Sequence, residues 1–70
     1  MKIIFAEGDD WRGVYLDGEL YLQGHSFSMW EIANVINKAG GNAEAVDVDL
    51  DWLMDEGRLP LSYYQVVLDA

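Results

Sequence analysis

The chain has 70 residues, thirteen of them acidic and four basic, with no cysteine and a formal net charge of −9. Without cysteine there is neither a disulfide framework nor a thiolate metal centre, and the charge disfavours direct binding of nucleic-acid phosphate while favouring a cationic protein surface. A chain this short buries only about 60 per cent of the surface its unfolded form exposes, so a single domain over residues 1–70, held by packing alone, is expected; 51% hydrophobic residues suffice for its core.

Lys2 to Ala6 reads as a short strand, because Ile3, Ile4 and Phe5 suit a pleated, buried surface and Glu7-Gly8-Asp9-Asp10 ends it with turn chemistry. This terminus fits neither a signal peptide nor a membrane helix, which makes the cytoplasm the expected compartment. Trp11 to Leu16 and Glu19 to Gln23 flank Asp17-Gly18, the dipeptide preferred in a type I′ turn, where both central residues take positive φ. The hairpin register that follows sets Tyr15 opposite Leu20, Val14 opposite Tyr21 and Gly13 opposite Leu22. One face then carries Trp11, Tyr15, Leu20 and Leu22 as the core face. The other, with Arg12, Val14, Leu16, Glu19, Tyr21 and Gln23, is too apolar to be simply solvated.

Ser28-Met29-Trp30-Glu31 has the form of a capping box, with Phe27 and Ile32 at the positions of a hydrophobic staple. A helix therefore starts at Ser28, with an apolar stripe of Met29, Ile32, Ala33, Ile36 and Ala39, Val35 on its edge, and Gly40-Gly41 as its stop. It should lie on the hairpin's core face, leaving Trp30 off the stripe. Ala43 to Asp49 reads as a strand and a short helix through Trp52, Leu53 and Met54 follows, capped by Asp49 or Asp51 and ended by Gly57. Tyr63 to Leu68, aromatic and β-branched, reads as a last strand, with Ser62 as the alternative cap of a short helix. The expected fold is α+β: a small, mainly antiparallel sheet in β-β-β-α-β-α-β order with one main helix on one face.

From Glu44 to Glu56 the chain holds Glu44, Asp47, Asp49, Asp51, Asp55 and Glu56 without a basic residue. Were the strand to stay extended, Asp47, Asp49 and Asp51 would point the same way, about 7 Å apart. Their spacing opens like an EF-hand loop and then departs from it, since Trp52 stands where the glycine is needed and Arg58 where the bidentate glutamate belongs. A carboxylate row docked on lysines and arginines is the sharper reading, either as mimicry of a nucleic-acid backbone or as a patch that steers a basic partner, with Trp30 and Tyr21 as aromatic anchors outside the core. His25, beside Ser26 and Ser28, reads as a loop histidine bonded to backbone, since neighbours in sequence rarely assume nucleophile geometry. No enzymatic activity and no cofactor are expected. Phosphate donors are few and no glycine-rich loop joins a strand to a helix.

Asp10-Trp11-Arg12-Gly13-Val14-Tyr15-Leu16-Asp17-Gly18, then Gly24-His25, and Trp52-Leu53 with Gly57-Arg58-Leu59-Pro60, resemble a pattern of small acidic orphan proteins of bacteria and phages, over most of the chain. The resemblance carries no activity and implies a phage-type accessory protein, by analogy an inhibitor of host machinery. The expected function is thus a non-enzymatic acidic module that presents Asp47, Asp49, Asp51, Asp55, Glu56, Trp30 and Tyr21 to a basic protein surface, without direct nucleic-acid or membrane binding. The alternative is a small-molecule binding module, using the aromatics and Arg12, dimeric through the hairpin face of Val14, Leu16 and Tyr21.

Overall fold

The structure, a computed structural model, describes residues 2–40 and 42–69, the side chain of Ala39 excepted. Gly41 of the expected helix stop and the Ala39 position of the apolar stripe fall outside the described residues. The elements are β1 (Ile3–Glu7), β2 (Arg12–Leu16), β3 (Glu19–Gly24), α1 (Met29–Ala39), β4 (Ala43–Asp47) and α2 (Leu50–Glu56), followed by a 3-10 turn over Tyr63–Gln65. They form an α+β fold whose sheet has the order β3-β2-β1-β4. The first three strands are antiparallel, and β4, reached through α1, runs parallel to β1.

The hairpin turn forms as its dipeptide dictates, with Asp17 at φ 50 and Gly18 at φ 86. Beyond it the register departs from expectation. Tyr15 pairs with Leu20, but Val14 pairs with Leu22, so β3 carries an extra residue, Tyr21, opposite the Val14–Tyr15 step. Because side chains alternate between faces, one inserted residue moves everything after it to the opposite face. Leu22 joins Ile3, Phe5, Val14 and Leu16 on one side of the sheet, while Gln23 comes round to the side of Trp11 and Tyr15.

Both faces of the central strands are therefore covered. On the Val14 side lies α1, started by a complete capping box in which the Glu31 N–H donates to Ser28 Oγ and the Ser28 N–H to Glu31 Oε1, each at 3.1 Å. It rests on the sheet through Val35, which is 0% exposed. The expected stripe does not pack inward: Met29 is 86%, Ile32 36% and Ile36 44% exposed. The helix also lies on the hairpin face opposite to the one expected. The physical reason is the bulge. With Leu22 added to Phe5, Leu16 and Phe27, this layer is already filled around Ile3 and Val14, and only the narrow Val35 edge finds room.

The Tyr15 side is covered by α2 and the chain that follows it. Tyr15, Ile4, Ala6, Val48, Leu53 and Leu59 form the larger core, flanked by Trp11, Leu20, Val46, Trp52, Tyr63 and Val66. The final segment is not the expected strand. Ser62 Oγ accepts the Tyr64 N–H at 3.3 Å and starts the 3-10 turn, after which a single antiparallel bridge joins Leu68 to Val48.

Two polar ties hold this layer. The Tyr15 hydroxyl donates to the Pro60 carbonyl at 2.7 Å. Gln23 Oε1 accepts both the Trp11 indole N–H and the Leu59 N–H at 2.9 Å, and its Nε2 donates to the Leu59 carbonyl at 3.4 Å. An unmet buried donor costs about 1–3 kcal/mol. Gln23→Leu, which strands the indole and the Leu59 amide together, is expected to destabilise the fold by about 2–4 kcal/mol in urea unfolding; a change below the scatter of surface substitutions would contradict this role.

Burial, and secondly the charge of Tyr63, push the Tyr15 phenol up from 10.0 to about 12. A raised folded value means that ionisation opposes folding: stability is intact below pH 10.0 and declines as pH rises through about 12. Urea midpoints measured across that window should fall for the native chain. In Tyr15→Phe this alkaline component should be absent, against a loss near neutrality of about 1 kcal/mol for the missing hydrogen bond.

Candidate functional site

The parallel run of β1 and β4 places the carboxyl ends of both strands at one end of the sheet, and the chain sets acids there: Asp9 and Asp10 after β1, Asp47 closing β4, then Asp49, Asp51, Asp55 and Glu56 on or before α2. The structure gathers these carboxylates at one pole but does not align them. The expected row of Asp47, Asp49 and Asp51 ends after Asp47, because Asp49 turns to cap α2, its Oδ1 accepting the Trp52 N–H at 3.0 Å, and Asp51 falls in the first helical turn. A free strand face requires the chain to stay extended, and the helix signal starting at Leu50 overrides it. Val46 and Val48 do face inward as the alternation requires, whereas Leu50, the next of that series, is half exposed.

Of the remaining expected site residues, Asp47, Asp51, Asp55 and Glu56 are exposed at the acidic pole, while Trp30 and Tyr21 lie elsewhere. Trp30 is on α1, 82% exposed. Tyr21 is the bulge residue of β3, with Lys38 Nζ 5.6 Å from its ring centroid. Trp30 and Tyr21 thus lie with α1, away from the acids of α2, and do not make one site with them.

At the pole itself a cup of about 370 Å³ opens between the β1–β2 loop and α2, lined by Asp9, Asp10, Trp11, His25, Leu50, Leu53, Met54 and Gly57. Its floor is apolar and its rim acidic. The loop is closed by the Gly8 N–H donating to the Trp11 carbonyl at 2.9 Å. Trp11 is pinned from one side by Gln23 and from the other by His25, whose ring meets the indole edge-on with centroids 4.9 Å apart. His25 Nδ1 lies 2.9 Å from the Asp10 carbonyl. A carbonyl only accepts, so Nδ1 carries the proton, as expected of a loop histidine bonded to backbone. On α2, Leu50, Leu53 and Met54 share the face turned to the cup, with Asp51 and Asp55 beyond Met54 on the side away from Leu53.

Among the described residues the ion pairs are Lys2 with Glu44 at 3.1 Å, Arg12 with Glu7 at 3.5 Å, and His25 with Asp10 at 3.7 Å when the imidazole is charged. Among the described residues, the acids of α2 have no basic partner. Also among the described residues, no three His, Asp or Glu side chains converge as a metal site would require, so a divalent site built from the aspartates has no geometric support. Among the described residues, no helix is long and apolar enough to cross a membrane.

Sequence reasoning missed the cup because Trp11 was read only as a core-face residue and the seat of the β1–β2 loop beside α2 depends on the folded chain. The signal that points to it is the spacing of Leu50, Leu53 and Met54 on a helix that faces the Gly8-Asp9-Asp10 turn. Comparison with family models, with curated proteins and with solved structures finds no match. The functional reading therefore rests on this chain's own residues.

The loop's seat on α2 requires Gly8, where a Cβ would come within 2.5 Å of both Leu53 Cδ2 and the Trp11 carbonyl oxygen. Gly8→Ala is expected to cost about 1–3 kcal/mol through overpacking and to shift the Trp11 indole N–H resonance; an unchanged spectrum and stability would show that the loop does not pack as described.

Proposed function

We propose that this chain is a non-enzymatic binding module that engages a basic protein surface through the acid-rimmed cup. The observation that carries the reading is the juxtaposition at one pole of an apolar cup, walled by Trp11, Leu50, Leu53 and Met54, with Asp9 and Asp10 on its rim and Asp51, Asp55 and Glu56 beside it. A lysine or arginine suits such a place on physical grounds. Its methylene stem lies along apolar surface while its cationic head stays at the wet rim among carboxylates, and an indole face adds cation–π attraction. The acids raise the encounter rate and the cup provides an anchor. The nucleic-acid-mimic form of this reading loses its spacing argument with the aspartate row. The steering form keeps its support, and inhibition of a nucleic-acid-binding protein is the activity it would most naturally produce.

A second reading, small-molecule binding, is favoured by one observation. Among the described residues Arg12 Nε is buried without a hydrogen-bond partner beside a groove lined by Phe5, Phe27, Ile32 and Ala45, and a carboxylate or carbonyl oxygen would satisfy it. Melting against a panel of small carboxylic acids separates the two readings, since a ligand specific for the native state raises the transition.

The primary test is titration with an arginine-rich peptide followed by amide and indole chemical shifts. Shifts should concentrate on Asp9, Asp10, Trp11, Leu50 and Met54, and affinity should fall steeply from low to physiological salt. Met54→Asp, and separately Asp10→Lys with Asp55→Lys, should each weaken binding by at least about tenfold without loss of structure, all three side chains being exposed. Binding indifferent to salt and to these substitutions would reject the proposal.

A further inference from the structure

We propose that His25 is a proton-operated switch on the cup: as a neutral imidazole it leaves the cup to a lysine or arginine side chain, and as an imidazolium it sets a cation in the lining where that side chain would come to rest. This switch rests on the reading of the cup as a seat for a basic side chain and adds its regulation. His25 is the chain's single histidine. Imidazole is the side chain whose ordinary charge change falls between about pH 5 and 8, an interval across which ordinary carboxylates stay ionised.

The first observation is how the ring is held. His25 shares the lining of the cup with Asp9, Asp10, Trp11 and the wall of α2. Its ring stands edge-on to the indole with centroids 4.9 Å apart, and the indole is itself fixed by donating to Gln23 Oε1 at 2.9 Å. The His25 Nδ1–H donates to the Asp10 carbonyl at 2.9 Å, which leaves Nε2 as the basic nitrogen. A proton added at Nε2 disturbs neither the Nδ1–H bond nor the aromatic contact, so the charge arrives at a fixed position without rearranging the loop. The imidazole side chain is 71% exposed, and solvent protons reach it freely.

The second observation concerns the groups that meet this charge. Asp10 Oδ1 lies 3.7 Å from Nδ1, within reach of a pair with the imidazolium. Of the side chains in the lining only Asp9, Asp10 and His25 titrate, because α2 contributes Leu50, Leu53 and Met54 there. The acids of α2, Asp51, Asp55 and Glu56, stand beside the cup and outside its lining. Arg58, which follows Gly57 of the lining, keeps its charge throughout. On the β3 side, Gly24 before His25 pairs with Arg12, whose guanidinium is matched by Glu7 at 3.5 Å. Protonation of His25 therefore halves the net negative charge of the lining and engages one of its two carboxylates. A basic side chain entering the cup then meets a like charge and one free acid fewer.

Screening sets the size of the effect. The imidazole and the Asp10 carboxylate are both largely exposed, and charges at such a surface act on one another through water and salt, so at low ionic strength protonation is expected to weaken binding by about three- to tenfold. The coupling is reciprocal. A basic side chain in the cup lowers the proton affinity of His25 by the same factor by which the proton weakens its binding. A histidine that only propped Trp11 would produce neither effect, since its contact with the indole is the same in both protonation states.

The test is titration of the full chain, at low salt, with an arginine-rich peptide that has blocked termini and no histidine, at about pH 8 and at about pH 5.5. Affinity should fall by about three- to tenfold at the lower pH. In His25→Gln the ratio of the two affinities should approach one, whatever the absolute affinity of that variant. The single histidine also supplies imidazole signals that nuclear magnetic resonance follows against pH, and their titration midpoint should move to lower pH when the peptide is bound; should His25→Gln fail to fold or to bind, this measurement decides alone. Equal affinity at the two pH values, a pH dependence that persists in His25→Gln, or an imidazole midpoint that the peptide leaves unchanged overturns the switch while the cup's binding role stands. A peptide that binds at neither pH overturns both.

Discussion

The bulge at Tyr21 decides which side chains each face of the sheet receives, and most of the molecule follows from it. Before the bulge, β3 alternates as a plain hairpin strand and Leu20 joins the Tyr15 core. After it, Leu22 fills the layer under α1 while Gln23 arrives on the opposite side, where its amide oxygen receives the Trp11 indole and the Leu59 amide. The second contact draws the Leu59–Pro60 chain across Tyr15, which meets the Pro60 carbonyl. The first holds Trp11 as one wall of the cup. One extra residue thereby sets the seat of α1, the path of the carboxy-terminal chain and the position of the site.

The same topology sorts charge. A parallel neighbour for β1 brings two strand ends together, and the turns leaving those ends carry most of the acids. The opposite side of the molecule pairs its lysine with Glu44 and presents alanines and an apolar helix flank. Net charge alone implies solubility and a basic partner. Its concentration around an apolar cup adds a place for a particular side chain.

Local chemistry made much of the fold legible in the sequence. Asp17-Gly18, the reciprocal Ser28 and Glu31 cap and the terminating Gly57 each act over a few residues, and each forms as read. Features that depend on distant partners were not legible. The bulge leaves no mark of its own in Leu20-Tyr21-Leu22, since either register puts leucines on a plausible core face. The orientation of α1 was misread because the apolar stripe was assumed to face the core, whereas the layer beneath it was already occupied. The aspartate row failed for a local reason: Asp49 is as good a helix cap as a strand residue, and capping won. Tyr63 to Leu68 has strand composition, but Ser62 offers its hydroxyl to the Tyr64 amide and the segment forms only one bridge. At the site, the acids of the pole were legible from composition and the cup was not, because its walls come from three separate parts of the chain.

Separation of charge, with the acids gathered at the pole that holds the cup, is the claim on which the protein-binding reading stands. Paramagnetic broadening of amide signals by a small, freely diffusing cationic probe, compared with its neutral analogue, reads that separation directly. The account predicts the largest excess broadening at Asp9, Asp10, Leu50 and Met54, and little at Ala43, Ala45 and Ile36. Excess broadening spread evenly over the surface, or strongest along β4 and α1, would contradict it.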